Sequence, residues 1–122
     1  MVAGVAVAAL CALSEAGKGR PAGVVAAIGP CISFEAFEVG PEVVEEFTRV
    51  FGPDAPVGRL PDGKGRVDLR EAVRRQLVHA GVPCGNVETT DRCSHRDAGE
   101  FFSHRRDNGV TGRMAAIISP AR

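Results

Sequence analysis

Ala26-Ala27-Ile28-Gly29-Pro30-Cys31-Ile32, continuing through Phe34-Glu35-Ala36-Phe37-Glu38-Val39-Gly40, is the stretch on which the fold turns. Val24 to Ile28 is an unbroken apolar run stopped by Gly29-Pro30, the pattern of a short strand buried on both faces, and it leaves Cys31 at the strand end. Upstream, Ala3 to Ala16 is rich in helix formers, Gly17 is a helix stop, and Lys18-Gly19-Arg20-Pro21 is a turn. Downstream, Pro41 suits the first turn of a helix. Val43, Val44, Phe47, Val50 and Phe51 recur at helical spacing until Gly52-Pro53. Residues 52–66, rich in Gly, Pro and Asp and without periodicity, read as a surface loop. Asp68 is an N-cap, and Leu69, Ala72, Val73, Leu77 and Ala80 form one apolar face up to Gly81. Arg70, Arg74, Arg75 and His79 fall on the other faces, where a run of charge is normally solvated. Val87–Thr90 and Met114–Ile118 complete the pattern as strands, and no internal repeat is evident.

These elements define a mixed α/β (α+β) fold, a sheet packed with helices, in a single domain over residues 1–122. So few strands leave sheet edges and apolar faces uncovered, which predicts poor solubility for the chain alone. With 44% hydrophobic and 25% charged residues the composition is globular. Lys plus Arg and Asp plus Glu number 15 each, so no basic excess points to nucleic acid or a membrane surface. The middle is nevertheless acidic (Glu35, Glu38, Glu42, Glu45, Glu46) and the tail basic (Arg92, Arg96, Arg105, Arg106, Arg113). The opening Val2–Leu13 run is too short to span a bilayer. Cys11, Cys31, Cys84 and Cys93 are irregularly spaced and read as reduced thiols of a cytoplasmic protein. Six Phe, with no Trp or Tyr, are few aromatic anchors for a complete core.

Phe101-Phe102-Ser103-His104-Arg105-Arg106-Asp107, followed by Gly112-Arg113-Met114, carries the clearest chemical signal. Guanidinium forks match phosphate, and an adjacent aromatic face can stack on a base, although such pairs are more often core and solvated surface. Cys93-Ser94-His95, with His104, offers thiolate and imidazole ligands at a spacing incomplete for zinc, and equally fits a buried thiol with an exposed imidazole. Cys31 is a nucleophile only if a cation lowers its pKa; otherwise it packs a strand end or pocket wall. Gly109-Val110-Thr111-Gly112-Arg113 lacks the Lys-Ser/Thr ending of a P-loop and reads as a turn before the last strand. No Gly-x-Gly-x-x-Gly follows a strand, so a dinucleotide fold has no support.

The order of the Ile28-Gly29-Pro30-Cys31-Ile32 turn, the Phe37-Glu38-Val39-Gly40 strand end, the Val67-Asp68-Leu69 helix start, Cys93 and the Phe-Phe-Ser-x-Arg-Arg run resembles the YfiH-type laccase-domain family. Members of that family are purine nucleoside phosphorylases with adenosine deaminase activity. The resemblance implies purine nucleoside (adenosine, inosine or guanosine) and phosphate as partners. It assigns Phe102 and Ser103 to a pocket lining, Arg105 and Arg106 to phosphate or purine, and Cys31 to the substrate-binding wall. It also implies zinc, held by His, Cys and His ligands in the N-terminal half of a domain roughly twice this length, the last within His-Ala-Gly-Trp-Arg-Gly. An apolar helix follows that motif in the family, and this chain opens on one. The resemblance therefore implies a C-terminal half or a miscalled start at Met1, inactive unless joined to the missing N-terminal half or another chain. His104 stands where the family has an aromatic hydroxyl, and Ser94 follows Cys93 where Thr is usual. The older family label is copper-dependent polyphenol oxidase, which three His support poorly. The rival from another class is a module that binds purine or phosphate without turnover.

Overall fold

The α2 helix, Pro41–Phe51, shows most directly how the sequence sets the packing. Gly40 caps it, Pro41 pre-sets its first turn, Glu42 lies at its positive end, and Gly52 at φ 77° ends it. In this computed structural model, which describes residues 4–17 and 19–119, its apolar stripe buries Val44 and Phe47. That stripe lies on an antiparallel sheet of three strands, β2 (Glu38–Val39), β3 (Val57–Arg59) and β4 (Gly65–Val67), in the order β2-β4-β3. Val39 pairs with Gly65, and Val57 with Val67. Val39, Val44, Phe47, Val67 and Ala72 form the first core, with Phe37, Val57 and Leu69 packed around it.

The sheet corrects the expected loop over residues 52–66. Residues 61–64 are exposed, but β3 and the start of β4 form a hairpin whose turn passes through Gly63 at φ 84°. Gly65 is buried under α2, where a Cβ would come within 2.6 Å of Val44 Cγ2 and 3.1 Å of the Gly58 carbonyl. Glycine therefore marks close packing here rather than a loop.

The α3 helix, Leu69–His79, begins as expected at Asp68, whose carboxylate accepts the Glu71 N–H at 3.0 Å. The arginines along it are not simply solvated. Glu71 binds Arg74 (2.7 Å) and Arg75 (2.6 Å), and the Arg74 hydrogen bond leads in holding its carboxyl down at about 2. Arg70 donates to the Arg92 carbonyl, and its Nε is buried without a partner. Neighbouring acceptors, invisible to a one-dimensional charge pattern, draw these long side chains down onto the fold.

The α1 helix, Val5–Glu15, packs on α3 around the second core of Leu10, Leu77 and Val82. Met1, Val2 and Ala3 of the expected opening helix and Lys18 of the expected turn lie outside the described residues. Strands β1 (Ala26–Ile28) and β5 (Val87–Thr89) pair in parallel, Ala26 opposite Val87 and Ile28 opposite Thr89. Only one face of β1 is covered: Ala26 and Ile28 pack on the second core, while Ala27 is exposed and Val25 is 71% exposed. The expected burial on both faces is thus corrected, because helices cover one side of this two-stranded sheet and none covers the other among the described residues. Met114–Ile118 is not a strand either. It borders the open face of β1 and β5 without pairing to it, with Ile117 and Ile118 over 90% exposed. No helix among the described residues is long and apolar enough to cross a membrane.

Candidate functional site

Beyond β1 and β5 the pairing slips by one residue, and Cys31 and Cys93 face each other as an isolated parallel β-bridge. The Ser94 N–H closes that junction on the Cys31 carbonyl at 3.0 Å. From here the chain makes two tight turns of the same construction. In the first, Cys93 Sγ accepts the Arg96 N–H at 3.3 Å, and the Asp97 carboxylate accepts the Cys93 N–H at 2.9 Å. In the second, Ser103 Oγ accepts the Arg106 N–H at 3.3 Å, and Asp107 accepts the Ser103 N–H at 3.4 Å. In each, the arginine grips the following aspartate through Nε at 2.8 Å. Cys93-Ser94-His95-Arg96-Asp97 and Ser103-His104-Arg105-Arg106-Asp107 are therefore one device used twice, a reciprocal cap with an i, i+4 partner. The sequence signal was present: a capping residue with Arg-Asp at the third and fourth positions after it.

Arg106 joins the two turns. Its Nη1 donates to the carbonyls of Ser94 (2.9 Å) and His95 (3.4 Å), and its Nη2 to Phe101 (3.0 Å) and Asp107 (3.0 Å). With Nε on Asp107, its five N–H donors all meet protein acceptors. Arg106 thus shapes the edge of the site instead of presenting a free fork. Arg106 leads in holding the Asp107 carboxyl below its usual range, helped by the Thr111 hydroxyl at 2.9 Å.

Arg106 and Asp107 border a cavity of about 380 Å³ together with Phe101, Phe102, Thr111 and Gly112. Phe102 is 53% exposed, and its ring lies where a Cβ on Gly112 would be, 2.7 Å from the nearest ring carbon. Glycine at this position lets the aromatic face lie against backbone. Ser103 is buried beneath, as a turn cap. Arg105 points elsewhere: it donates to the Glu38 carbonyl at 2.8 Å, with its guanidinium 5.4 Å from the Phe37 ring centre. It borders a second cavity of about 420 Å³ with Lys64 and Glu42. The expected pair of arginines is therefore divided between two cavities and forms no joint clamp. Asn108 at φ 49° and Gly109 at φ 86° close a turn over residues 104–109, so the turn expected over 109–113 lies earlier in the chain, and residues 110–113 are neither turn nor strand.

Cys93 is fully buried. Burial pushes its thiol up, but the Ser33 hydroxyl and the N–H groups of Arg96, Ser33 and His95 outweigh this and draw it down to about 7. Cys31 is half-buried; burial pushes its thiol up against the lowering pull of the Arg70 guanidinium. Among the described residues no three His, Cys, Asp or Glu side chains converge as metal ligands. The Cys93 sulfur instead serves as the cap of its own turn. Ser33 and Asp97 shape this region and carried no singled-out signal in the sequence, while Arg70, Asp107 and Thr111 stood in stretches read for other reasons.

The family model described as multi-copper polyphenol oxidoreductase laccase matches residues 1–121, and the chain belongs to that family. It is 39% identical over 100 residues to the purine nucleoside phosphorylase YlmD of Geobacillus stearothermophilus, covering 80% of this chain and 36% of the relative. It is 45% identical over 98 residues to a purine nucleoside phosphorylase of Bacteroides thetaiotaomicron, covering 78% and 36%. It is also 45% identical over 92 residues to an adenosine deaminase of an unknown prokaryotic organism, covering 74% and 35%. Among solved structures, YlmD from G. stearothermophilus superposes with a TM-score of 0.83 at 33% identity, over 91% of this chain and 42% of that one. The YfiH protein of Bacillus licheniformis gives 0.81 at 30%, over 88% and 41%. The chain is thus part of a YfiH-type domain, spanning about two fifths of the length of these relatives.

Proposed function

We propose that this chain supplies one wall of the nucleoside site in a cytoplasmic purine nucleoside phosphorylase that also deaminates adenosine. Relatives with those names, 39 to 45% identical over most of this chain, carry the reading. The cavity at Phe102 supports it, since an exposed ring held flat by Gly112 suits stacking on a purine. In this reading Phe102 contacts the base, Ser103 and Arg106 hold the rim in shape, Arg105 is the remaining candidate for phosphate, and Cys31 lies in the wall behind. The reaction is attack of a phosphate oxygen on the anomeric carbon, releasing base and sugar 1-phosphate; deamination uses water on the purine ring. The residues described here do not fit a zinc or copper centre, so no step is routed through a metal, and zinc is proposed only for the complete domain. Turnover accordingly needs the remainder of a domain of the relatives' length.

The test is phosphate-dependent release of hypoxanthine from inosine by this chain joined to such a remainder, followed by chromatography of the base. Release that requires phosphate, with none from this chain alone, is the expected result. Saturable inosine binding without release, in the joined polypeptide, would overturn the enzyme reading in favour of a binding module.

A further inference from the structure

We infer that Cys31 and Cys93 form a dithiol that a peroxide-class oxidant converts to an intrachain disulfide. The two residues are direct partners in an isolated parallel bridge beyond β1 and β5, one residue out of the register of those strands, and the Ser94 N–H donates to the Cys31 carbonyl at 3.0 Å, fixing their pairing. Side chains at paired positions of adjacent parallel strands leave the sheet on the same face, and strands lie about 4.8 Å apart, within the Cα spacing of roughly 4.4–6.8 Å that a disulfide spans. Cys93 is among the charges that Cys31 feels, as their proximity requires. Cys11 and Cys84 are exposed and belong to other elements.

The two sulfurs differ in a way that orders the chemistry. Cys31 is half-buried and is the one a small oxidant reaches, whereas Cys93 is fully buried behind it. Burial keeps Cys31 mostly protonated, so this first step is slow: the fraction ionised beside the Arg70 guanidinium attacks one peroxide oxygen as thiolate, the O–O bond breaks, and the departing hydroxide takes up a proton, leaving a sulfenic acid and water. Cys93 Sγ, held by N–H groups of Ser33 and Arg96 at 3.3 Å each, is stabilised as thiolate. It attacks the Cys31 sulfur, the S–O bond breaks, and hydroxide leaves and takes up a proton. Two thiols lose two electrons, and the peroxide is reduced to two waters. The new bond draws Cys93 Sγ away from the Arg96 N–H that closes the first turn, and Arg106 transmits the change through the Ser94 and His95 carbonyls to the Phe102 cavity. Oxidation thereby reaches the site proposed for nucleoside without needing that proposal to hold.

The experiment treats the natural chain with hydrogen peroxide, alkylates it under denaturing conditions with N-ethylmaleimide, and maps its peptides without reduction. The expected result is one-for-one loss of alkylated Cys31 and Cys93, appearance of a Cys31–Cys93 linked peptide, and full reversal by dithiothreitol. In Cys31→Ser, Cys93 should stay alkylated at its level before peroxide. Persistent alkylation of both residues, or linkage of Cys31 to Cys11 or Cys84 instead, would overturn the inference. So would loss of alkylated Cys93 in Cys31→Ser, because Cys93 would then be reacting without its partner.

Discussion

Arg106→Ala lowers the unfolding free energy by about 3 kcal/mol, because it strands the acceptors of a partly buried ion pair and its hydrogen bonds together. The Ser94, His95 and Phe101 carbonyls lose their shared donor, and Asp107 keeps only Thr111 and the Ser103 N–H. The side chain is 23% exposed, so water compensates in part, and the loss falls at the low end for a buried pair. Arg106→Lys recovers less than half, since a compact ammonium cannot reach both turns and the aspartate at once. Urea unfolding measures both variants. A loss below about 0.5 kcal/mol for Arg106→Ala, the range of ordinary surface changes, would free Arg106 from this structural role and return it to the ligand candidates.

Phe47→Ala is the costliest change expected in the first core, about 3 to 4 kcal/mol, from lost burial plus the cavity left behind. Phe47 is 3% exposed and its ring lies 5.8 Å from that of Phe51 with a 16° interplanar angle. Phe51→Ala should cost distinctly less, because Phe51 sits at the end of α2 and is only partly buried. Equal losses in urea unfolding would mean that the stacked pair, rather than the contact of α2 with the sheet, carries the stability.

Both changes fall where the sequence was differently legible. Phe47 was placed in advance, because α2 carries all its signals locally: Pro41 at its start, an apolar residue every third or fourth position, Gly52 at its stop. The α3 helix was legible for the same reason, through Asp68 and Gly81. The β3–β4 hairpin was not. Val57-Gly58-Arg59 has one apolar residue, and Gly58 is there because a Cβ would meet the Phe34 ring at 2.7 Å, a tertiary fact that local composition presents as loop. The run Val24–Ile28 showed that a strand was coming, but an apolar run does not say how many of its faces are covered, and Val25 stands in the open. Met114–Ile118 failed differently: its apolar run forms no strand, because composition alone does not say whether a segment pairs.

The candidate site was legible as composition and not as connection. Phe102, Ser103, Arg105 and Arg106 could be named from their types, and the structure does put Phe102 and Arg106 on one cavity. What an arginine binds is decided by carbonyls distant in sequence: Arg105 finds Glu38, and Arg106 finds Ser94. Asp97 drew no reading, and Asp107 was quoted only as the end of the Phe-Phe-Ser-His-Arg-Arg run, because the N–H groups each carboxylate accepts from are set by the turn and not by residue type. In the fold the Arg96 hydrogen bond leads in holding the Asp97 carboxyl far below its usual range, as part of a closed turn.

The most direct measurement is a titration of the isotopically labelled chain with inosine in phosphate buffer, following backbone amide resonances. Saturable shifts confined to residues 98–112, and abolished by Phe102→Ala, are expected if the aromatic cavity receives the purine. Shifts that do not saturate, or that leave 98–112 unmoved while appearing elsewhere, would contradict it.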